Sequence, residues 1–311
     1  MLRLIVRRIA YLIATLLAVS VALFLLFELS PENVAAETLG PYALPEQRQL
    51  WLAQHGYFQP AYLRYLQWLG HVLSRDLGQS RVFNAPVADV LLQRLGNSAI
   101  LAAAFFLVMV PTAIGMGVLA GMREGSALDR VISIIAIVTT SIPPFASVVL
   151  LTTIFVFTLH WLPGTSSMLD GFSWRELVLP VLVLVLYDVG YVARITRAAM
   201  VEAMASPYVR TAILKGLTRR RVILRHALRN ALIAPVTVIL LQVNWLIGGV
   251  VVVEFFFAYK GFGSLILEAA LAQDLYLIEA TTMVAVLIAV ATQSLADLAY
   301  AVLNPRIRYQ R

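Results

Sequence analysis

The chain contains no cysteine, and only 13% of its 311 residues are Asp, Glu, Lys or Arg. The first absence excludes disulfides, thiolate metal sites and a thiol nucleophile. The second excludes an ordinary soluble domain, in which about a quarter of residues are charged. With 60% apolar residues and a mean hydropathy of +0.84, too little polar surface remains to face water. Disorder is excluded on the same grounds. No G-x-x-x-x-G-K-[ST] stretch occurs, so no phosphate-cradling loop is encoded. His55, His71, His160 and His226 form no H-E-x-x-H and no i, i+4 pair, and there is no G-x-S-x-G elbow. Neither metal-ligand spacing nor a hydrolase constellation is legible. What remains is the composition of an integral membrane protein.

About 20 apolar residues cross a bilayer core. Six runs qualify: 9–27, 97–121, 131–159, 177–193, 230–253 and 280–296. The fourth is the weakest, with Pro180 near its start and Asp188 near its end. Arg3, Arg7 and Arg8 before the first run suggest a signal peptide, with Val34-Ala35-Ala36 as its cleavage site. The run is about twice the usual signal length, however, and Glu28, Pro31, Glu32 and Asn33 separate it from that site. It reads as an uncleaved anchor. Six spans put both termini on one side. That side carries 17 of the 24 basic residues, nine of them in the 192–230 stretch, and is therefore cytoplasmic. The net charge of +7 follows from topology and points to no nucleic-acid partner.

Two segments outside the spans carry helical signals. Tyr62, Leu63, Leu66, Leu69, Val72 and Leu73 recur with helical spacing over residues 60–75, and Asp76-Leu77-Gly78 stops that helix. It reads either as a cap over the bundle mouth or as a docking face for an external partner. In the 193–230 loop, Ser206-Pro207 supplies an N-cap and a proline at the first helical position. The helix runs through Lys215 to Gly216, a residue suited to a left-handed C-terminal cap. Thr218 then caps a second helix over 219–232. Anionic lipid headgroups select only charge, whereas two capped helices across a glycine suit protein docking. Ala212 and Gly216 are small enough for a partner's surface to approach closely.

The segment Tyr208-Val209-Arg210-Thr211-Ala212-x-x-x-Gly216-Leu217, followed by Arg225-His226-x-Leu228-Arg229-Asn230-Ala231 and Pro235, resembles the EAA-type coupling loop of ABC importer permeases. The dipeptide/oligopeptide/nickel permease family is most similar. Val252-Val253-Glu254, Phe257-Ala258 and Gly261-Phe262-Gly263 resemble the outer end of that family's fifth span. Arg75-Asp76-Leu77-Gly78-x-Ser80 resembles its outer loop, Ser141-Ile142-Pro143 its third span and Asn304-Pro305-Arg306-Ile307-Arg308 its tail. The blocks follow the family's order over almost the whole chain. Two departures stand out: Ala205-Ser206-Pro207 replaces the acidic residue usual before the Tyr208 block, and Lys260 replaces a common proline.

The resemblance implies an all-α membrane protein of the six-span type I ABC importer fold, with both termini and a coupling helix in the cytoplasm. It implies a transport subunit rather than an enzyme, placed in a bacterial or archaeal inner membrane and moving peptides, or a small solute such as nickel, by alternating access. The implied partners are a second homologous permease, two ABC ATPases that hold ATP and Mg, an extracytoplasmic substrate-binding protein and membrane lipid. Tyr208, Val209, Arg210, Thr211, Ala212, Lys215, Gly216 and Leu217 become the ATPase-coupling residues. Glu254, Gly261 and Gly263 become an outer gate or a binding-protein contact. The chain divides into tail and first span (1–29), extracytoplasmic helical loop (30–94), five-helix core (95–305, with the coupling loop 193–230) and tail (306–311).

Glu28, Asp188, Glu254 and Asp297 lie in or near the spans, where a carboxylate costs about 3 kcal/mol at a helix centre. Asp188 is the most interior, a structural or pore acid expected to pair with Arg194 or Arg197. Gln242, Asn244 and Gly248-Gly249 mark helix packing more than a pore wall. Pro143-Pro144 is expected to kink or break the third span. An ion-coupled transporter would show inverted repeats with paired broken helices, and none is seen. A membrane scaffold or enzyme would explain the twin helices but lacks a catalytic constellation.

Overall fold

The computed structural model describes residues 2–28, 35, 36, 39, 40, 42–54, 56–169 and 171–303, with the side chains of 2–5, 27, 28, 244–249 and 299–303 outside the description. Of the features singled out above, residues 31–34, His55, the Glu28 and Asn244 side chains and the 304–308 tail block lie outside the described residues. The described chain is helical apart from a two-strand hairpin. In order come α1 (Leu2–Glu28), α2 (Pro45–Gln54), α3 (Ala61–Leu73), the hairpin β1 (Gln79–Ser80) and β2 (Ala85–Pro86), α4 (Val87–Gly121), α5 (Ala127–Ser141), α6 (Pro144–Thr158), α7 (Trp174–Ala205), α8 (Pro207–Leu214), α9 (Arg219–Ala231), α10 (Ile233–Phe256), α11 (Phe262–Ala272) and α12 (Leu275–Leu303). α6 ends in a π-helical turn over Thr153–Thr158, and α9 contains another over Val222–Ala227.

Val6–Leu26, Val87–Gly121, Trp174–Ala205 and Leu275–Leu298 are each long and apolar enough to cross a membrane. Two bent pairs raise the number to six if each counts as one span. The chain is thus an all-α membrane protein. The 131–159 run is not straight, because α5 and α6 meet at 102°. A residue before proline is driven out of the helical region, and two prolines in succession impose this on two residues. Ile142 (ψ 120°) and Pro143 (ψ 148°) are accordingly extended, and Pro144 restarts the helix where a missing N–H costs nothing. The fifth run begins later than its composition suggests, since α9 and α10 meet at 46°.

The chain forms two compact units. The one comprising Ala99–Tyr259 and Thr292–Arg311 is built around α7. Of the apolar stretch of α7, 67% is buried, against 22% or less for the other three unbroken spans. Leu101, Phe105 and Met109 of α4, Val148 and Leu151 of α6, Val183, Leu184, Val189 and Val192 of α7, and Val253 of α10 form its core. Glycines allow the closest approaches. A Cβ on Gly190 would lie 2.2 Å from the Ala136 carbonyl oxygen of α5, and one on Gly117 would lie 2.6 Å from that of Ala193 on α7. Between apolar spans in lipid, such backbone proximity is a main source of association, through dispersion.

An ion pair locks one end of this unit. Ser126 accepts the Asp129 N–H at 3.2 Å and caps α5. The Asp129 carboxylate accepts the Gly125 N–H at 2.9 Å. It also receives a two-pronged contact from Arg197 of α7, in which Nε donates to Oδ1 and Nη2 donates to Oδ2 at 2.7 Å. The expected Asp188–Arg197 partnership is therefore corrected. Arg197 is drawn to the carboxylate at the head of α5, Arg194 is exposed, and Asp188 is 2% exposed with Gln242 of α10 donating to its Oδ1.

The other unit, Met1–Ser98 with Lys260–Ala291, packs Val87, Leu91, Leu265, Ala269, Leu277 and Ala280 together. Asp274 caps α12 by accepting the Leu277 N–H at 3.3 Å, while its other oxygen accepts from Ser80 at 2.7 Å. That ties the hairpin to the start of α12. Arg94 of α4 donates to Glu268 of α11 at 2.8 Å. Gly78, at φ +79°, lies against the Tyr276 ring, where a Cβ would sit 2.7 Å away, so the Asp76-Leu77-Gly78 block closes the turn after α3.

Two stability outcomes follow, both read from thermal unfolding of the detergent-purified chain. Gly190→Val overpacks α5 against α7 and lowers stability by about 1–3 kcal/mol, whereas Gly115→Ala, with open space around its Cβ position, is neutral or gains up to about 1 kcal/mol. Arg197→Met leaves the Asp129 carboxylate buried without its guanidinium and costs about 2–3 kcal/mol. Adding Asp129→Asn restores part of that loss.

Candidate docking site

The 193–230 stretch builds a compact platform at the end of α7. Ser206 leaves the helix in an extended conformation (φ −69°, ψ 149°), and Pro207 opens α8. Ser206 stands at the N-cap position but does not cap. Its hydroxyl donates back to the Ala203 carbonyl, which finishes α7 and leaves the start of α8 without a side-chain partner. Thr218 likewise precedes α9 without a side-chain cap.

The other end of α8 follows the expected chemistry. Gly216 adopts φ +75°, a conformation that costs a non-glycine residue about 1 kcal/mol or more. Its N–H reaches the Ile213 carbonyl at 2.9 Å, and the Leu217 N–H reaches Ala212 at 3.3 Å. This is the paired hydrogen-bond pattern of a Schellman cap, and it reverses the chain tightly into α9.

Packing divides α8 into two faces. Val209 is fully buried and Ala212 is 5% exposed, packed with Met200 and Ala203 of α7 and with Val222, Ile223, Ala227 and Ala231 of α9. Leu217 and Met122 pack against the same cluster. The Arg219 guanidinium donates to the Met122 carbonyl at 3.4 Å, joining the platform to the turn before α5. The expectation that Ala212 offers a partner close approach is therefore corrected. Its small side chain brings α8 close to α9 within the chain, and Val209 anchors the same face. Tyr208, Arg210, Thr211, Lys215 and Gly216 are exposed. Thr211 donates to the Pro207 carbonyl at 3.0 Å, which holds its hydroxyl on its own helix.

The residues that sequence reasoning missed sit at the tip. Ile213 is 57% exposed and Leu214 is 80% exposed, two branched apolar side chains in water beside Lys215. Helical spacing turns Leu214 away from the side that Val209 and Ala212 define, but it places Ile213, four after Val209, on that side, so the exposure of Ile213 was not legible. Arg219, Arg220, Arg221, Arg225 and Arg229 are exposed on α9, so a basic margin surrounds the apolar tip. His226 is half-buried, with its carbonyl accepting from Asn230 at 3.3 Å.

The remaining sequence candidates lie elsewhere. Glu254 is fully buried, and Gly261 and Gly263 are buried as well. Their alternative role as a direct binding-protein contact is corrected, because the turn from α10 into α11 folds them inward and presents Lys260 and Ala258 instead. His160 is exposed at the end of α6. Among the described residues no three His, Cys, Asp or Glu side chains gather as a metal site.

Comparison with known proteins identifies the family. Residues 113–309 match the family described as binding-protein-dependent transport system inner membrane component, and residues 1–102 match the N-terminal part of such components. A protein of Brucella abortus named for a peptide transport system permease is 36% identical over 310 residues, covering 98% of this chain and 99% of that one. The oligopeptide transport system permease protein AppB of Bacillus subtilis is 31% identical, covering 98% and 99%. The glutathione transport system permease protein GsiC of Escherichia coli is 34% identical over the whole of both chains. With apolar spans throughout, and with matches that together run through nearly its entire length, the chain belongs to the family of binding-protein-dependent transport system inner membrane components, as a multi-pass permease subunit.

Proposed function

We propose that this permease is one half of the pore of an ATP-driven importer for peptides and that α8 is its coupling helix. Six spans carry it, each bent helix pair counting as one, with both termini in the cytoplasm. Residues 1–29 form the tail and first span, 30–94 the extracytoplasmic loop, 95–305 the core and 306–311 the tail. A second homologous permease completes the pore, a binding protein delivers substrate outside, and two ABC ATPases hold ATP and Mg inside. Peptide is the substrate class because the relatives described above are named for peptide, oligopeptide and glutathione transport.

The observation that carries the reading is the exposed tip of α8 on a rigid base. Burying a leucine side chain contributes about 1.5–3 kcal/mol, so Leu214 and Ile213 lose free energy in water and gain it in a partner's cleft. Tyr208, Arg210, Thr211, Lys215, Gly216 and Leu217 frame that contact, while Val209 and Ala212 act from beneath by holding α8 on α7 and α9. Because α8 is fastened to the end of α7, a push on the tip is delivered to the most buried span. The bundle is then a two-state element biased by ATPase closure on one side and by the binding protein on the other. Glu254, Gly261 and Gly263 form a packed turn at the outer gate, and Asp188 with Gln242 fastens α7 to α10 inside the bundle.

Leu214→Asp and Gly216→Trp are expected to insert normally, to lose co-purifying ATPase and to abolish uptake. Gly216→Ala, strained by its positive φ alone, retains partial activity. Affinity purification followed by a vesicle uptake assay checks this. Full uptake with Leu214→Asp, or ATPase-independent uptake by the parent chain, overturns the coupling role.

A further inference from the structure

The helix α3 carries three separate stripes. At about 100° per residue, Tyr65, Trp68 and Val72 form one that faces the chain itself. Tyr65 hydrogen-bonds Ser20 of α1 at 2.9 Å, its ring meets Phe24 edge-on at 5.4 Å, and Trp68 donates to Glu279 of α12 at 2.9 Å. Arg64, Gln67 and His71 form a polar stripe. On nearly the opposite side, within about 40° of one another, Tyr62, Leu66 and Leu73 are 66%, 59% and 77% exposed. A helical cap standing in water has no use for that third stripe.

The contacts of the first stripe set the depth. The uncharged run of α1 ends at Phe27, just before Glu28, so at 1.5 Å per residue along the helix Phe24 lies about 4.5 Å and Ser20 about 10 Å inside it. α12 starts at Leu275, and Glu279 stands one turn into it, directly before the uncharged run that begins at Ala280. Amphipathic helices that lie in a membrane surface are buried about 5–10 Å below the headgroup boundary, the range that the contacts with Phe24 and Ser20 span. A cavity of about 740 Å³ continues beneath α3, walled by Ile13 and Leu17 of α1 and Leu287 of α12 and bordered by Arg64 and His71.

We propose that α3 is an interfacial helix seated in the bilayer leaflet at the C-terminal end of α1, with phospholipid as its partner. Tyr62, Leu66 and Leu73 contact acyl chains, the cavity admits one acyl chain between the two spans, and Arg64, Gln67 and His71 lie at headgroup level. Naming this the outer leaflet rests on the orientation proposed above; the seating of α3 in a leaflet does not. The contact holds the extracytoplasmic loop against the membrane while the core moves.

The absence of cysteine makes a clean test possible. Single cysteines at Tyr62, Leu66, Gln67 and Leu73 of the full chain are spin-labelled in vesicles of phosphatidylethanolamine and phosphatidylglycerol. Collisions with oxygen are compared with those of a water-soluble nickel chelate. The expected result is a severalfold preference for oxygen at 62, 66 and 73 relative to 67. Equal access of the chelate to all four positions means α3 stands in water and overturns the proposal. Exclusion of both probes from 62, 66 and 73 means protein covers the stripe, and overturns it too. Neither result bears on uptake or ATPase binding, so the coupling role of α8 stands or falls separately.

Discussion

The contact on which the core unit depends is backbone against backbone. At Gly190 and Gly117, α7 comes so close to α5 and α4 that a single methyl group would collide with a carbonyl oxygen. In water such closeness would be one contribution among many, because burial of apolar side chains drives association there. In a bilayer, lipid tails compete equally well for leucine and valine, and dispersion between closely approached helices has to carry more of the load. The burial of α7 follows from this. Asp129 and Arg197 add a charged anchor toward the end of α7 that leads into α8.

The proposed docking surface takes its geometry from α7. α8 has eight residues, too few to be stable alone, and it owes its form to Val209 and Ala212 packing on α7 and α9. A Schellman cap at Gly216 turns the chain back, and the turn leaves Ile213 and Leu214 projecting. A docking helix of this kind has to be rigid at its base and apolar at its tip. The turn at Gly216 was visible in the sequence, whereas the packing of Val209 and Ala212 beneath α8 and the exposure of Ile213 were not. In the other unit, the hairpin, Gly78 and Asp274 fix the beginning of α12 through short polar and steric contacts.

Much of this was legible in the residues themselves. Length of apolar runs, the basic bias of the 193–230 stretch, the proline pair at 143–144 and the glycine at 216 act through local rules, and local rules can be read from neighbours in sequence. Asp188 shows the limit. Its nearest basic residues along the chain, Arg194 and Arg197, were the reasonable partners, yet one faces solvent and the other reaches Asp129, 68 residues away. Ala212 shows it again. A small residue permits close approach, but composition cannot say whether the approaching surface is another protein or the chain's own next helix.

The amino-acid sequence by itself determined that this is a membrane permease: the scarcity of charge leaves it no soluble alternative, and its motif blocks place it in a family. It also determined where the helices start and stop around proline and glycine, because those constraints are steric and act over one or two residues. Only the tertiary structure decided which face of each helix is covered, which acid meets which guanidinium, and how deep α3 sits against α1 and α12. Those choices depend on atoms brought together from distant parts of the chain, and packing in lipid selects them by shape, which the order of residues records only indirectly.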